Sequence, residues 1–277
     1  MTNAKLTIIF KGKPPYFMGS QLRGAFGYAL KKVTCINPSY ECDGCFASAN
    51  CLYYKFYEAI NETHKYRFDY ELGRDFYEFN FYLFDSATTK LPYVVSAFHM
   101  MLTQIGLGKE KQTYSDFELF INDTSVFENG NLKIPQNFIR EFETPKVFSH
   151  AKVKFITPLR IKKENRFVRD GSIELSDIVN SIYQRQMQLL GRGHKKFPYE
   201  IQGEIVRKDL HYEELTRQSN RQKTTMNLGG IMGEIEIKNI DEKSLHVLKL
   251  GELLACGKST VFGLGKIEVE EMKCEQV

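Results

Sequence analysis

Apolar positions along the 277-residue chain change period at intervals, and each change marks an element. Residues 6–10 read as a short strand, after which Pro14 and Pro15 turn the chain between Gly12 and Gly19. From Ser20, a candidate N-cap, apolar residues recur at Leu22, Ala25, Phe26, Ala29 and Leu30, which predicts a helix over 20–32. Arg23, Tyr28, Lys31 and Lys32 fall on its other faces. Residues 67–84 read as two strands about Gly73, with alternation through Phe76, Glu78, Asn80 and Tyr82. A helix over 91–105 ends at Gly106 and Gly108, and 115–122 reads as a further strand. Strand, helix, two strands, helix, strand is the ferredoxin-like order.

The second half repeats the scheme. A strand over 152–161 precedes a helix over 175–190 that is apolar at Ile178, Ile182, Met187 and Leu190. Strands at 201–212 and 230–237, a helix at 245–255 and a last strand at 266–270 complete it. Both halves carry a late helix, a glycine segment (Gly106-Leu107-Gly108; Gly263-Leu264-Gly265) and a strand, an internal repeat that points to two related domains. The stretch 134–145, with Pro135 and Pro145, is the boundary this pattern leaves. The fold class expected is α+β, with tandem ferredoxin-like (RRM-like) domains over 1–140 and 146–277.

Composition narrows the class. A hydrophobic content of 42% with 21 phenylalanines fills two cores and excludes a disordered chain, and 13% aromatics without tryptophan suit strands. The net charge of +4 permits a nucleic-acid partner without demanding one. No apolar run is long enough for a membrane helix, and the first ten residues are too short in their apolar part for a signal peptide. No membrane partner and a cytoplasmic location are expected.

Two segments invite specific chemistry. Gly257-Lys258-Ser259 suggests a P-loop, but that motif needs a glycine where Glu252 stands. It also needs a strand before the loop and a helix after it, the reverse of the order here. A glycine-rich loop lying on a phosphodiester backbone and a tight helix-to-strand connection both remain open. The second segment is Cys35-x6-Cys42-x2-Cys45-x5-Cys51, whose Cys-x2-Cys core, eased by Gly44, has the spacing of a metal knuckle. Disulfides do not suit a cytosolic chain, so structural zinc on Cys35, Cys42, Cys45 and Cys51 is expected, with an iron–sulfur cluster or no metal as alternatives. Four thiolates leave no open position, so such an ion would hold the insertion over 35–51 together rather than cut anything.

The chain also resembles a known family. Arg217-Gln-Ser-Asn-Arg-Gln222, Met226-Asn-Leu-Gly-Gly-Ile-Met-Gly-Glu-Ile235 and Gly257-Lys-Ser-Thr-Val-Phe-Gly-Leu-Gly265 are similar to the C-terminal half of CRISPR-associated endoribonucleases of the RAMP superfamily. Leu22-Arg-Gly-Ala-Phe-Gly27 and the segment ending Cys51-Leu-Tyr-Tyr resemble one branch of it. The family pattern often carries a further glycine where Ala255 stands. The resemblance implies cleavage of precursor CRISPR RNA within its repeats, with no metal or other cofactor in catalysis. The ribose 2′-hydroxyl attacks the adjacent phosphorus and leaves a 2′,3′-cyclic phosphate.

It further implies catalytic groups on or just after the first helix, which makes Tyr28, Lys32 and His64 the candidates. A phenol orients or protonates, an ammonium stabilises phosphorane charge, and an imidazole is the acid–base group suited to neutral pH. A lysine-assisted variant without histidine stays open. Arg23, Lys31, Arg192, Arg217, Arg221, Lys258, Ser259 and Thr260 are the candidate RNA contacts. Repeat RNA is the expected partner, with other CRISPR effector subunits beside it. A non-catalytic RNA-binding subunit of such a complex is the alternative, and a zinc-stabilised protein with no RNA role is the blandest reading.

Overall fold

Along the first strand, Ala4, Leu6, Ile8 and Phe10 are buried while Lys5 and Thr7 between them are half-exposed, the period-two pattern of a sheet covered more fully on one face. In this computed structural model, which describes residues 1–128, 131–143, 145–219 and 224–272, the chain divides into two units, Met1–Glu141 and Phe142–Val277.

The first unit runs β1 (Thr2–Phe10), α1 (Gly19–Thr34), β2 (Tyr66–Asp69), β3 (Tyr77–Phe84), α2 (Leu91–Met100) and β4 (Phe117–Ile121). Its sheet carries β2-β3-β1-β4 in that order, with the short strands Thr124–Ser125 beside β4 and Arg140–Glu141 beside β1; every pairing is antiparallel, and Leu6 faces Phe81 on one side and Ile121 on the other. That is the ferredoxin-like arrangement read from element order. Both helices bury their apolar stripe against it: Phe26 of α1 stacks on Phe98 of α2 at 4.4 Å, and both rings meet Phe81, at 4.8 and 5.2 Å. Replacing so central a ring by alanine costs about 3–5 kcal/mol. Within β3 Tyr77, Phe79, Phe81 and Leu83 are buried on one face, with Phe84 buried at its end, so Glu78, Asn80 and Tyr82 of the predicted alternation lie on the other face.

Ser20 does not cap α1. The helix begins at Gly19 with Met18 in the cap position and no side-chain cap bond, and the Ser20 hydroxyl is buried without a hydrogen-bond partner. The predicted helix over 91–105 is present as α2 continued by a π-turn, Met101–Ile105.

The second unit runs β5 (Ala151–Leu159), α3 (Leu175–Leu189), β6 (Glu204–Glu213), β7 (Gly230–Lys238), α4 (Glu242–Leu254) and β8 (Ile267–Glu271). Its sheet order, β6-β7-β5-β8, is the counterpart of the first, and Val153 sits between Ile235 and Val269. α3 starts with a capping box formed by Glu174 and Asp177. α4 starts at Glu242, ahead of the apolar positions that predicted it, because Asp241 accepts from the backbone N–H groups of Lys243 and Ser244 at 3.0 and 3.3 Å. Two small hairpins had no counterpart in the predicted elements, Lys162–Lys163 with Arg166–Phe167 and Thr216–Ser219 with Thr224–Asn227. Among the described residues no helix is long and apolar enough to cross a membrane.

Candidate functional site

In the first unit, one face of α1 carries Arg23, Gly27 and Lys31, one turn apart, and tyrosines cover that face. Arg23 donates from Nε to the Tyr66 hydroxyl at 3.1 Å, and its guanidinium lies 4.5 Å from the Tyr57 ring. Tyr57 in turn donates its hydroxyl to the Arg23 carbonyl oxygen at 2.7 Å. Gly27 leaves room for this ring, since a Cβ there would lie 2.8 Å from it. Tyr57 stacks on Tyr53 at 5.2 Å, and the Lys31 ammonium lies 5.1 Å from the Tyr53 ring and 5.6 Å from that of Tyr40. His64 approaches from the other side, its ring 5.8 Å from that of Tyr66.

Arg23, Lys31 and His64 are thereby joined through four tyrosines. Burial works against the Arg23 cation, but the neighbouring phenols of Tyr66 and Tyr57 outweigh it and hold the guanidinium above its ordinary value. Burial also pushes the Tyr57 hydroxyl well up and raises that of Tyr66. These tyrosines were not singled out in the sequence. Their density after Cys51 was visible, but their partners on α1 lie 34 and 43 residues away.

Tyr28 and Lys32 lie on the neighbouring face of α1, outside this cluster. Tyr28 is 72% exposed and Lys32 is exposed as well. A free phenol and a free ammonium one turn apart can approach a bound molecule, while the tyrosine-clad face fixes the helix that presents them.

The expected zinc site is not assembled. Cys35, Cys42, Cys45 and Cys51 are free and half-exposed, and among the described residues no three His, Cys, Asp or Glu side chains form a group that could hold a metal. The tight turn is present, with the Cys45 N–H bonded to the Cys42 carbonyl at 3.4 Å and Gly44 at φ +63°. The Cys35 thiol donates to the Asn37 carbonyl at 3.7 Å. As they stand, these residues do not fit a four-thiolate ion.

In the second unit, the loop after α4 resolves the choice left by its glycines. The N–H of Gly257 donates to Ser181 Oγ at 2.9 Å and that of Lys258 to the Arg160 carbonyl at 2.9 Å. Gly265 donates to the Pro158 carbonyl at 3.1 Å, and its own carbonyl accepts from Cys256 at 2.8 Å. The Thr157 hydroxyl accepts from Lys266 N–H and donates to the Gly263 carbonyl, at 2.9 and 2.8 Å. These amides are spent inside the fold, so the loop is a tight helix-to-strand connection rather than a nest of N–H groups. Ala255, where the family often has glycine, sits at φ +63° and ψ 163°, a conformation that glycine adopts most easily.

The loop residues divide accordingly. Thr260 is only 3% exposed, which corrects its place among the candidate RNA contacts. Ser259 is half-buried in a left-handed conformation, and Lys258 alone of the three is exposed. Arg217 lies over the loop, its guanidinium 4.5 Å from the Phe262 ring. Arg192 is exposed in the turn after α3, and Arg221 lies outside the described residues.

From β5 to β8 the sequence also matches a known family model. The profile described as CRISPR-associated endoribonuclease Cas6 matches residues 153–267. Over that stretch the chain is similar to a CRISPR-associated endoribonuclease family. A second profile, described as an N-terminal domain, matches residues 4–137. An uncharacterized protein of Archaeoglobus fulgidus is 23% identical over 282 residues, covering 91% of both chains. A Cas6 product complex is similar with a TM-score of 0.59 at 15% identity, over 98% of this chain and all (100%) of that one. Thermus thermophilus Cas6 gives 0.56 at 15% identity over 98% of both chains. A RAMP protein binding different RNA substrates gives 0.50 at 10% identity over 98% of this chain and 100% of that one. At these identities the structural likeness is one of fold.

Proposed function

We propose that this chain cuts CRISPR precursor RNA within its repeats by metal-independent transesterification. A ribose 2′-hydroxyl gives its proton to a base and attacks the adjacent phosphorus. The 5′-oxygen leaves with a proton from an acid, so the upstream product ends in a 2′,3′-cyclic phosphate and the downstream product begins with a 5′-hydroxyl. The match of residues 153–267 to the endoribonuclease family carries this reading. Tyr28 is the exposed phenol available for proton transfer or orientation, and Lys32 supplies charge to the phosphorane. His64, half-buried near Tyr66, is the remaining acid–base candidate. Arg23 and Lys31 position α1 through the tyrosines, while Arg192, Arg217 and Lys258 hold the RNA backbone.

Incubating the full chain with a repeat-containing transcript in EDTA tests this. A cyclic phosphate on the upstream product is the expected result. Transcript bound but intact under the same conditions overturns it in favour of a non-catalytic RNA-binding subunit, which shares the fold and differs only at the reacting phosphate.

A further inference from the structure

Beyond the residues already described, the second unit holds a buried cation with no counter-charge. Arg160, just past the end of β5, is 7% exposed. One guanidinium nitrogen donates to the Gly229 carbonyl at 2.6 Å, and the guanidinium lies 4.2 Å from the Phe167 ring. Its Nε is buried and has no hydrogen-bond partner, and among the described residues no carboxylate forms an ion pair with it. Burial lowers its proton affinity, the Tyr212 phenol partly restores it, and the nearby Arg169 lowers it again. A buried charge left to one carbonyl and an aromatic face is costly, and a second arginine nearby adds to that cost.

The surroundings add positive charge. Arg169 is exposed and rests on the Tyr212 ring at 5.3 Å, and exposed Lys162 rests on the other approach to Phe167 at 5.1 Å. The Arg160 backbone meets the glycine loop at Gly257 and accepts from the Lys258 N–H, so a third exposed cation begins here. Asp170, next to Arg169 in sequence, is engaged by the backbone N–H and hydroxyl of Ser172.

We propose that Arg160 and Arg169 form a binding subsite for one phosphodiester of the RNA strand, with Lys162 and Lys258 at its rim. An arginine fork with a free Nε matches two phosphate oxygens, and the anion supplies the charge that the fold leaves uncompensated. The Gly229 bond fixes the fork between two glycine segments, so the site is formed before the strand arrives. This inference rests on the RNA-binding reading above but not on cleavage.

The test is binding of a labelled oligouridylate to the full chain by fluorescence anisotropy over a series of KCl concentrations. Losing one phosphate contact flattens the plot of log affinity against log salt by about 0.7 for a single strand. Arg160→Gln, which keeps a donor for Gly229, and Arg169→Ala, at an exposed position, are each expected to flatten it by about that amount. Slopes unchanged from wild type in both overturn the subsite. Should Arg160→Gln fail to fold, the Arg169→Ala slope decides alone. A wild type that binds with these slopes but leaves repeat RNA uncut retires the cleavage reading and keeps the subsite. A wild type that cuts, with variants of unchanged slope, does the opposite.

Discussion

Gly265→Ala separates a loop closed by packing from a loop open to ligand. Gly265 sits at φ +76°, and a Cβ there would lie 1.8 Å from the Cys256 carbonyl oxygen, a backbone atom that no rotamer change can move. Left-handed backbone in a residue with a Cβ costs about 1–2 kcal/mol. Relieving the overlap requires Cys256 and Gly265 to part by more than an ångström. That breaks the 2.8 Å bond between them and strains the 3.1 Å bond to Pro158, at about 1 kcal/mol each. The expected loss is therefore about 3–4 kcal/mol, a large share of the ~5–15 kcal/mol of a typical fold.

Gly191, at φ +69° with open space where its Cβ would stand, is the control, and alanine there should cost only the backbone term of about 1–2 kcal/mol. Urea unfolding of both variants, followed by circular dichroism, gives the comparison. If Gly265→Ala costs no more than Gly191→Ala, close approach to Cys256 is not why this position holds glycine, and the loop must be reconsidered as a ligand cradle.

The other expectations concern chemistry and pH. Whichever of Tyr28, Lys32 and His64 moves a proton in the cut should lose about 10²–10⁴-fold in single-turnover cleavage on substitution (Tyr28→Phe, Lys32→Ala, His64→Ala). If none of the three slows the cut, catalysis does not reside on or beside α1. Tyr57 and Tyr66 are pushed up by burial, and Tyr77 and Tyr82 up to about 12. Their contribution is fully present below the ordinary phenol value of about 10. It is lost as pH rises from there towards 12, because the unfolded chain gives up its protons first. Denaturation midpoints that stay constant across that range would contradict the burial of these phenols. Phe26→Ala should destabilise the first unit by about 3–5 kcal/mol, measured by thermal or chemical unfolding, because its ring stacks on Phe98 and touches Phe81.

Periodicity alone determined the order of elements, because which face of a strand or helix is apolar is a local property. It placed α3 and α4 within a few residues and gave the two β-α-β-β-α-β series. The likeness of residues 153–267 to the endoribonuclease profile was legible too, since it is carried by short contiguous blocks such as 226–235. What sequence could not decide is who meets whom. The pairing of Arg23 with Tyr57 and Tyr66 depends on how the segment after the cysteines folds back over α1. The four cysteines have a metal-like spacing, yet spacing sets only reach, and their side chains are not gathered into one group. The glycine loop left phosphate binding and packing both open until the partners of its amides were known. Those partners, Ser181, Arg160 and Pro158, come from elements far away in the chain. Tertiary structure settles these matters because hydrogen bonds and burial are properties of pairs, and the sheet order that creates the pairs is not written in any single segment.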